Sequence, residues 1–478
     1  MNLTVLQSPF SESEQIAQLK QQLQWAELKI QVLEEQLRWE RIKKYGPASE
    51  KLSDAQLELL EQEPGVSQIE VLAESQRASL PATATQKNAT STDPPRRHPG
   101  RQTLPAHLPR QERMIPCAPE QCTCGMCGRP RVVIGYDESE QLDVEPAKYF
   151  VLVTKREKRA CHHCEEGGVV AAPLPARIID KGLVSDRVVI DTVVAKYSDH
   201  LPLYRQSAIL ERETGLEISR ATLDGWVIRV GDLLTPIVAV IGQELVSGPY
   251  LQADETPVPV QLHEGLGKNH QAYLWQYSRP GASVVFDFRL GRGREGPQQF
   301  LARFNGILQT DGYAAYEQVG GPQMVQAACW AHARRKFVEA LKLHQADRMA
   351  KQVLVHMNKL FAIDAEARQK NLDLATRHAL RLEGMPPLLD RIHQQIELVC
   401  ADALPSSALG KAARYTRRLW PKLTRFLEYP ELELSNNWAE NSMRPVALGR
   451  KNWIHLGSAQ AGPKVAAILS VVESCRRL

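Results

Sequence analysis

Residues 250–261 read YLQADETPVPVQ, and residues 306–316 read GILQTDGYAAY. The first stretch has the aromatic and β-branched content of a strand and carries Asp254. AYLWQYS (272–278) follows, then a turn at Pro280–Gly281, then SVVFDFR (283–289), so three strands form a meander. GPQQFLARF (296–304) reads as a short helix. The second stretch reads as a buried strand ending at Asp311–Gly312, with another helix expected after it.

Strand, strand, strand, helix, strand is the core order of the ribonuclease-H-like fold. That fold sets carboxylates on its first and fourth strands side by side, which is where Asp254 and Asp311 fall. Such placement has a chemical use. Breaking or joining a phosphodiester needs an activated oxygen nucleophile and a stabilised leaving oxygen, and two Mg2+ (or Mn2+) ions about 3.5–4 Å apart supply both. Mg2+ is hard and prefers carboxylate oxygen. A third carboxylate is expected from LSNNWAENSMRPVALGRKNW (434–453). There Asn436 and Asn437 are candidate helix caps, Glu440 lies in the first turn and Arg444 one turn later. Spacing alone leaves Glu317 and Glu339 as rivals.

Moving outward, the chain has 478 residues, 43% hydrophobic and 24% charged, with a net charge of +4, which predicts about three soluble domains. A charge this small does not by itself imply nucleic acid, so local patches decide. ACWAHARRK (328–336) groups Arg334, Arg335 and Lys336 around His332, which reads as structural. Lys411, Arg414, Arg418, Lys422 and Arg425 share one helical face, kinked at Pro421, as a phosphate-binding stripe would. Arg444, Arg450 and Lys451 suit a flanking DNA strand. Between 203 and 230 a helix ending near Gly215 and another capped by Ser219, with Leu223, Trp226 and Val227 on one face, resemble a helix-turn-helix. Arg220 is its candidate contact to phosphate or base.

Nine cysteines do not make a disulfide scaffold, and six lie between Cys117 and Cys164. Cys124 and Cys127 form CGMCG, Cys161 and Cys164 form CHHC, and strand-like segments join the pairs. Four thiolates at this spacing predict one structural Zn2+, with His162, His163, Cys117 and Cys122 as alternative ligands. Cys117, Cys122, Cys329, Cys400 and Cys475 read as packing residues.

At the N-terminus, Ile16, Leu19, Leu23, Ala26, Ile30, Leu33 and Leu37 keep a 3–4 spacing, which predicts a coiled coil and a homo-oligomer. ASLPATATQKNATSTDPP (78–95) is a linker by composition, followed by the basic, proline-punctuated 95–110. No secretory signal is evident, and the most apolar segment, Leu233–Val246, is about 14 residues long, which predicts a cytoplasmic protein without a membrane span. The expected division is 1–47 coil, 48–110 acidic helix and linker, 111–175 zinc-ribbon-like domain, 176–245 helical region, and 246–478 catalytic domain with a helical insertion at about 340–430. The fold class is multidomain α+β.

ADET (253–256), LQTDGYAAY, CWAHARRKF and NNWAENSMRPVALGRKNW resemble the transposase of the bacterial insertion-sequence family sixty-six. SEQLDV (139–144) and KYSDHLPLYRQ (196–206) extend the resemblance toward the N-terminus. It implies an aspartate–aspartate–glutamate transposase with Asp254, Asp311 and Glu440 as catalytic, metal-binding acids. Its substrates would be the element's terminal inverted repeats and target DNA, attacked by a freed 3′-hydroxyl. It also implies a bacterial, nucleoid-associated protein, and accessory proteins of the same element as partners. Two features depart from the family. Asn441 stands where an arginine commonly follows the glutamate, and the chain ends at SVVESCRRL where the family usually continues. The residue reading leaves two other functions open: a ribonuclease-H-like nuclease without strand transfer, and a zinc-containing DNA-binding regulator with an inactive catalytic domain.

Overall fold

The computed structural model describes residues 149–151, 158–160, 169–171, 176–180, 182–262, 269–453 and 455–478, with thirteen helical positions between 20 and 37. The cysteines at 117–164, the linker and the basic arm lie outside the described residues. Among the described residues, β1 (Lys158–Ala160) pairs antiparallel with β2 (Val169–Ala171). Of the heptad seam, Leu23, Ile30, Leu33 and Leu37 are exposed in a helix. Glu35 of that helix reaches the Ala408 amide and, at 2.7 Å, His344.

Three helices precede the sheet: α1 (Asp186–Tyr197), α2 (Leu203–Thr214) and α3 (Arg220–Ser247). In α1 the helical spacing places Val189, Val193 and Tyr197 inward, whereas Ile190 and Val194 face out. Gly215 ends α2 at φ 73°, a left-handed cap that a residue without a Cβ adopts freely. Ser219 caps α3 by accepting from the Thr222 amide. The apolar stretch expected to be about 14 residues belongs to this 28-residue helix, which is long and apolar enough by length and composition to cross a membrane. In the fold it packs instead on the C-terminal helix α11 (Ala461–Arg477). Gly231 makes that approach close, since a Cβ there would lie 2.7 Å from the Lys464 Cβ.

The sheet has five strands in the order β5-β4-β3-β6-β7. β3 (Tyr250–Val260), β4 (His270–Ser278) and β5 (Val284–Arg289) form the antiparallel meander, with Ser278 opposite Val284 at the turn. The helix α4 (Glu295–Leu301) carries the chain back to β6 (Ile307–Thr310), parallel to β3. The helix expected directly after Asp311 is no more than a single 3-10 turn. That turn (Ala314–Tyr316) leads to a fifth strand, β7 (Val325–Ala328), parallel to β6. Both faces are covered. Val258, Leu274 and Phe286 meet α11 residues such as Ile468, and Leu251, Trp275 and Leu308 meet Leu301 and Phe304. Edge strand β5 is closed by α11, because the amides of Val284 and Phe286 donate to the buried hydroxyls of Ser474 and Ser470.

After β7 come α5 (Trp330–Leu343), α6 (Arg348–Gln369), α7 (Leu374–Gly384), α8 (Pro386–Asp402) and α9 (Ala408–Leu423). They share a core containing Trp330, Phe337, Phe361, Ile392 and Leu419. Its charged centre is Asp364, whose carboxylate accepts from Arg381 at 2.8 Å and Arg368 at 2.6 Å. Residues 424–436 then return to the sheet and lead into α10 (Asn437–Trp453).

Candidate active site

Asp254 lies mid-way along β3, and Asp311 follows directly on β6, its parallel neighbour. Glu440 sits in the first turn of α10. Asp254 lies within electrostatic reach of both Glu440 and Asp311. Burial raises the Asp254 carboxyl well above the usual carboxylate range, and the charges of Glu440, Glu255 and Asp311 push it the same way. Burial also pushes Glu440 up, but His332, Arg335 and Arg444 outweigh it and leave that carboxyl below its ordinary value. His332 is itself lowered by burial, so the lasting positive charge beside Glu440 is Arg335, 2.9 Å away. Glu317, one rival third acid, lies instead on the surface beside Lys422.

Local sequence explains the placement. Gly312 holds φ 85° directly after Asp311 and lets the chain turn under Leu419, where a Cβ would come within 2.6 Å of a methyl carbon. The Asp311 carboxylate then accepts from the Tyr313 amide at 2.8 Å. Asp254 accepts from the Glu255 amide at 2.9 Å.

Glu440 is held in register by two glutamines that the sequence reading passed over. Gln252 and Gln309 each precede a catalytic candidate by two residues, and both are fully buried. Gln252 donates to the Ser435 carbonyl at 2.9 Å and accepts from the Ala439 amide at 3.3 Å. Gln309 donates to the Glu433 carbonyl at 2.7 Å and accepts from Tyr250 at 2.5 Å. Asn436, expected as a helix cap, turns its side-chain amide to the Ala253 carbonyl instead. The strap entering α10 is therefore bonded to the two strands that carry the aspartates. Gln252→Leu orphans the buried Ser435 carbonyl, at roughly 1–3 kcal/mol, whereas the Ala439 amide keeps the Asn436 carbonyl at 2.9 Å. We expect its urea midpoint to fall by an amount matching that one lost bond. An unchanged midpoint would show that the strap holds without it.

Glu255 was also passed over. Its side chain is 2% exposed and accepts from Arg292 at 2.6 Å and Tyr316 at 2.9 Å. Burial raises its carboxyl, opposed by Arg292.

The basic candidates separate into two kinds. Arg220, Lys411, Arg418, Arg444 and Lys451 are exposed. Others are engaged within the chain: Arg334 with Asn358, Arg335 with Glu440, Lys336 over the Tyr415 ring, Arg414 with the Gly410 carbonyl, and Arg450 with the Pro257 carbonyl. Lys422 meets Gln326 and Glu317. The expected helical stripe is shorter than the sequence suggested, because α9 ends at Leu423 and Arg425 sits in a 3-10 turn bonded to Glu428.

Cys329, read as a packing residue, belongs to this site. It is fully buried at the start of α5, and its thiol is pushed up to about 12 by burial and then by Glu440. The sulfur, a His332 ring nitrogen and a Glu440 oxygen lie within 4.8 Å of one another.

The sequence profile described as the Transposase IS66 family matches residues 181–464, which spans the sheet, helices α1 to α10 and all three acids. The chain belongs to the IS66 transposase family. The profile described as zinc-finger binding domain of transposase IS66 covers residues 121–165, with both CxxC pairs, and that described as Transposase C of IS166 homeodomain covers 32–113. Relatives in Sinorhizobium fredii include the uncharacterized proteins y4qI, 34% identical over 86% of this chain and 77% of its own length, and y4hP, 30% identical over 94% and 82%. A third, y4jD, is 34% identical over 78% of this chain and 74% of its own. The IS66 membership carries a transposase role, DNA as the partner, and a zinc-finger segment in the chain.

Proposed function

We propose that this IS66 transposase cleaves DNA at the ends of its insertion sequence and joins the freed 3′-hydroxyl to target DNA, with Asp254, Asp311 and Glu440 as the catalytic acids. The observation that carries this reading is the convergence of two aspartates from adjacent parallel strands with a helix-borne glutamate. The sheet order and the meander support a ribonuclease-H-like catalytic domain.

The acids fit divalent metal. Asp254 is crowded by like charges, and Glu440 keeps one buried oxygen without a hydrogen-bond partner. A cation between them removes both costs. Asp254 and Asp311 would hold Mg2+ or Mn2+, with Glu440 completing the set. When bound, two such ions activate the attacking oxygen and stabilise the leaving one. The chain's own part is positional. Arg335 keeps Glu440 ionised and aimed, Gln252 and Gln309 fix its helix to the strands, and Gly312 lets Asp311 turn into the space. Exposed Arg444 and Lys451, further along the same helix, are placed for a flanking phosphate backbone, and Arg220 at the start of α3 for a second contact.

In the zinc finger, Cys124, Cys127, Cys161 and Cys164 would hold one structural Zn2+, and the N-terminal heptads would pair copies of the chain as a coiled coil. The protein would act in the bacterial cytoplasm on the nucleoid, with proteins of the same element as further partners. A duplex carrying the element's end, incubated with Mg2+, tests the activity. Joined products support the proposal. Cut products alone make the protein a nuclease, and binding alone makes it a DNA-binding regulator.

A further inference from the structure

We propose that Cys329, His332 and Glu440 form a second metal site at the active centre, selective for a borderline-soft divalent cation such as Zn2+, which shares Glu440 with the three-acid cluster and so inhibits it.

The placement begins with spacing. Cys329 is the N-cap residue of α5 and His332 lies in its first turn, so a Cys-x-x-His pair projects from one side of a helix start. The amides of Asn436, at 3.4 Å, and His332 both contact the sulfur and favour its thiolate against the upward push of burial. Glu440 completes the set from α10, with all three donors within 4.8 Å. A tetrahedral Zn2+ with bonds of about 2.0–2.3 Å keeps its donors roughly 3.3–3.8 Å apart, so closure asks for side-chain shifts of about 1 Å.

Partnering points the same way. Glu440 divides its oxygens. One accepts from Arg335, and the other faces the His332 Nδ1 at 3.4 Å. That contact is within ion-pair reach but makes no hydrogen bond, so both atoms are buried without one. Two buried polar atoms facing each other unbonded are costly, and a cation between them satisfies both.

Donor chemistry sets the selectivity. Sulfur, nitrogen and oxygen together suit Zn2+ or Co2+ and repel Mg2+, which takes oxygen. Binding displaces the thiol proton to solvent and leaves a fourth position for water. Glu440 drawn to this ion is withdrawn from Asp254 and Asp311. The inhibitory consequence rests on the proposed role of Glu440, whereas the binding does not.

Cobalt(II) chloride is the probe, titrated into the full chain purified with its own zinc. We expect a sulfur-to-cobalt charge-transfer band in the wild type beyond that given by Cys329→Ser or Cys329→Ala, and the same additional band in Asp254→Asn. Equal bands in wild type and both Cys329 variants overturn the site, as does loss of the additional band in Asp254→Asn. In a second arm, the zinc concentration that halves each protein's own Mg2+-dependent cleavage rate rises at least about tenfold in Cys329→Ser. An unchanged concentration refutes the inhibition. If no protein cleaves, the proposed function fails while the cobalt result still decides the site.

Discussion

Arg381→Met lowers the stability of the helices α5 to α9 by roughly 3–5 kcal/mol, the usual cost of breaking a buried ion pair from one side. Arg381 is fully buried, with Nε 2.8 Å and Nη2 2.7 Å from an Asp364 oxygen and Nη1 donating to the Leu432 carbonyl at 2.8 Å. Methionine fills the volume but leaves that carbonyl unbonded and removes a central cation from Asp364. Arg368 remains at 2.6 Å, which places the loss below that of an isolated charge. The effect reaches the active centre, because Arg377 holds Glu433 at 2.9 Å and the strap from 430 to 436 continues into the Glu440 helix. Urea unfolding followed by tryptophan fluorescence reads this directly, since Trp330 and Trp420 both belong to these helices. A loss under about 1 kcal/mol would mean that the network is solvated rather than structural.

Asp254→Asn has two opposite effects. It removes catalysis by at least about 10³-fold, since losing several kcal/mol of charge stabilisation costs a decade per 1.36 kcal/mol. It also stabilises the metal-free protein at neutral pH. Burial and the neighbouring carboxylates raise Asp254 in the folded state, so the unfolded chain releases its proton first as pH climbs. Stability is then lost from the ordinary carboxylate range upward, through the raised value. Asparagine never pays this penalty. In EDTA the variant should melt above the wild type at neutral pH, with the gap closing below the ordinary carboxylate range. Added Mg2+ should raise the wild-type Tm and leave the variant's nearly unchanged. A variant that melts below the wild type in EDTA at neutral pH contradicts the crowded-carboxylate account.

Much of the sheet was legible because the meander strands run six residues or more, and the four-residue β6 is marked by its Ile-Leu pair and the Asp311–Gly312 turn that ends it. β7 was not, since VQAA has no such turn behind it and does not separate a strand from the start of a helix. Asp254 and Asp311 could be singled out because strand order alone makes them neighbours. Glu440 rests mainly on the resemblance of its motif, because its approach depends on a strap bonded by Gln252, Gln309 and Asn436, and buried amides carry no periodic signal. The same reason hid Cys329 and His332. A lone Cys-x-x-His gains meaning only when the third ligand arrives from α10. Arg377, Arg381 and Asp364 are buried together with no periodic signal to mark them, and several basic residues counted toward DNA are occupied within the chain. Charge patterning on a helix reports a face only after its neighbours are placed.

The central claim is that Asp254, Asp311 and Glu440 act as one site. It is tested most directly on a duplex carrying the element's end, with Mg2+ and target DNA, using Asp254→Asn, Asp311→Asn and Glu440→Gln beside the wild type. The wild type should give nicked and joined products, and each variant should shift the duplex in a gel yet give neither. Joined product from any one of the three would contradict the assignment.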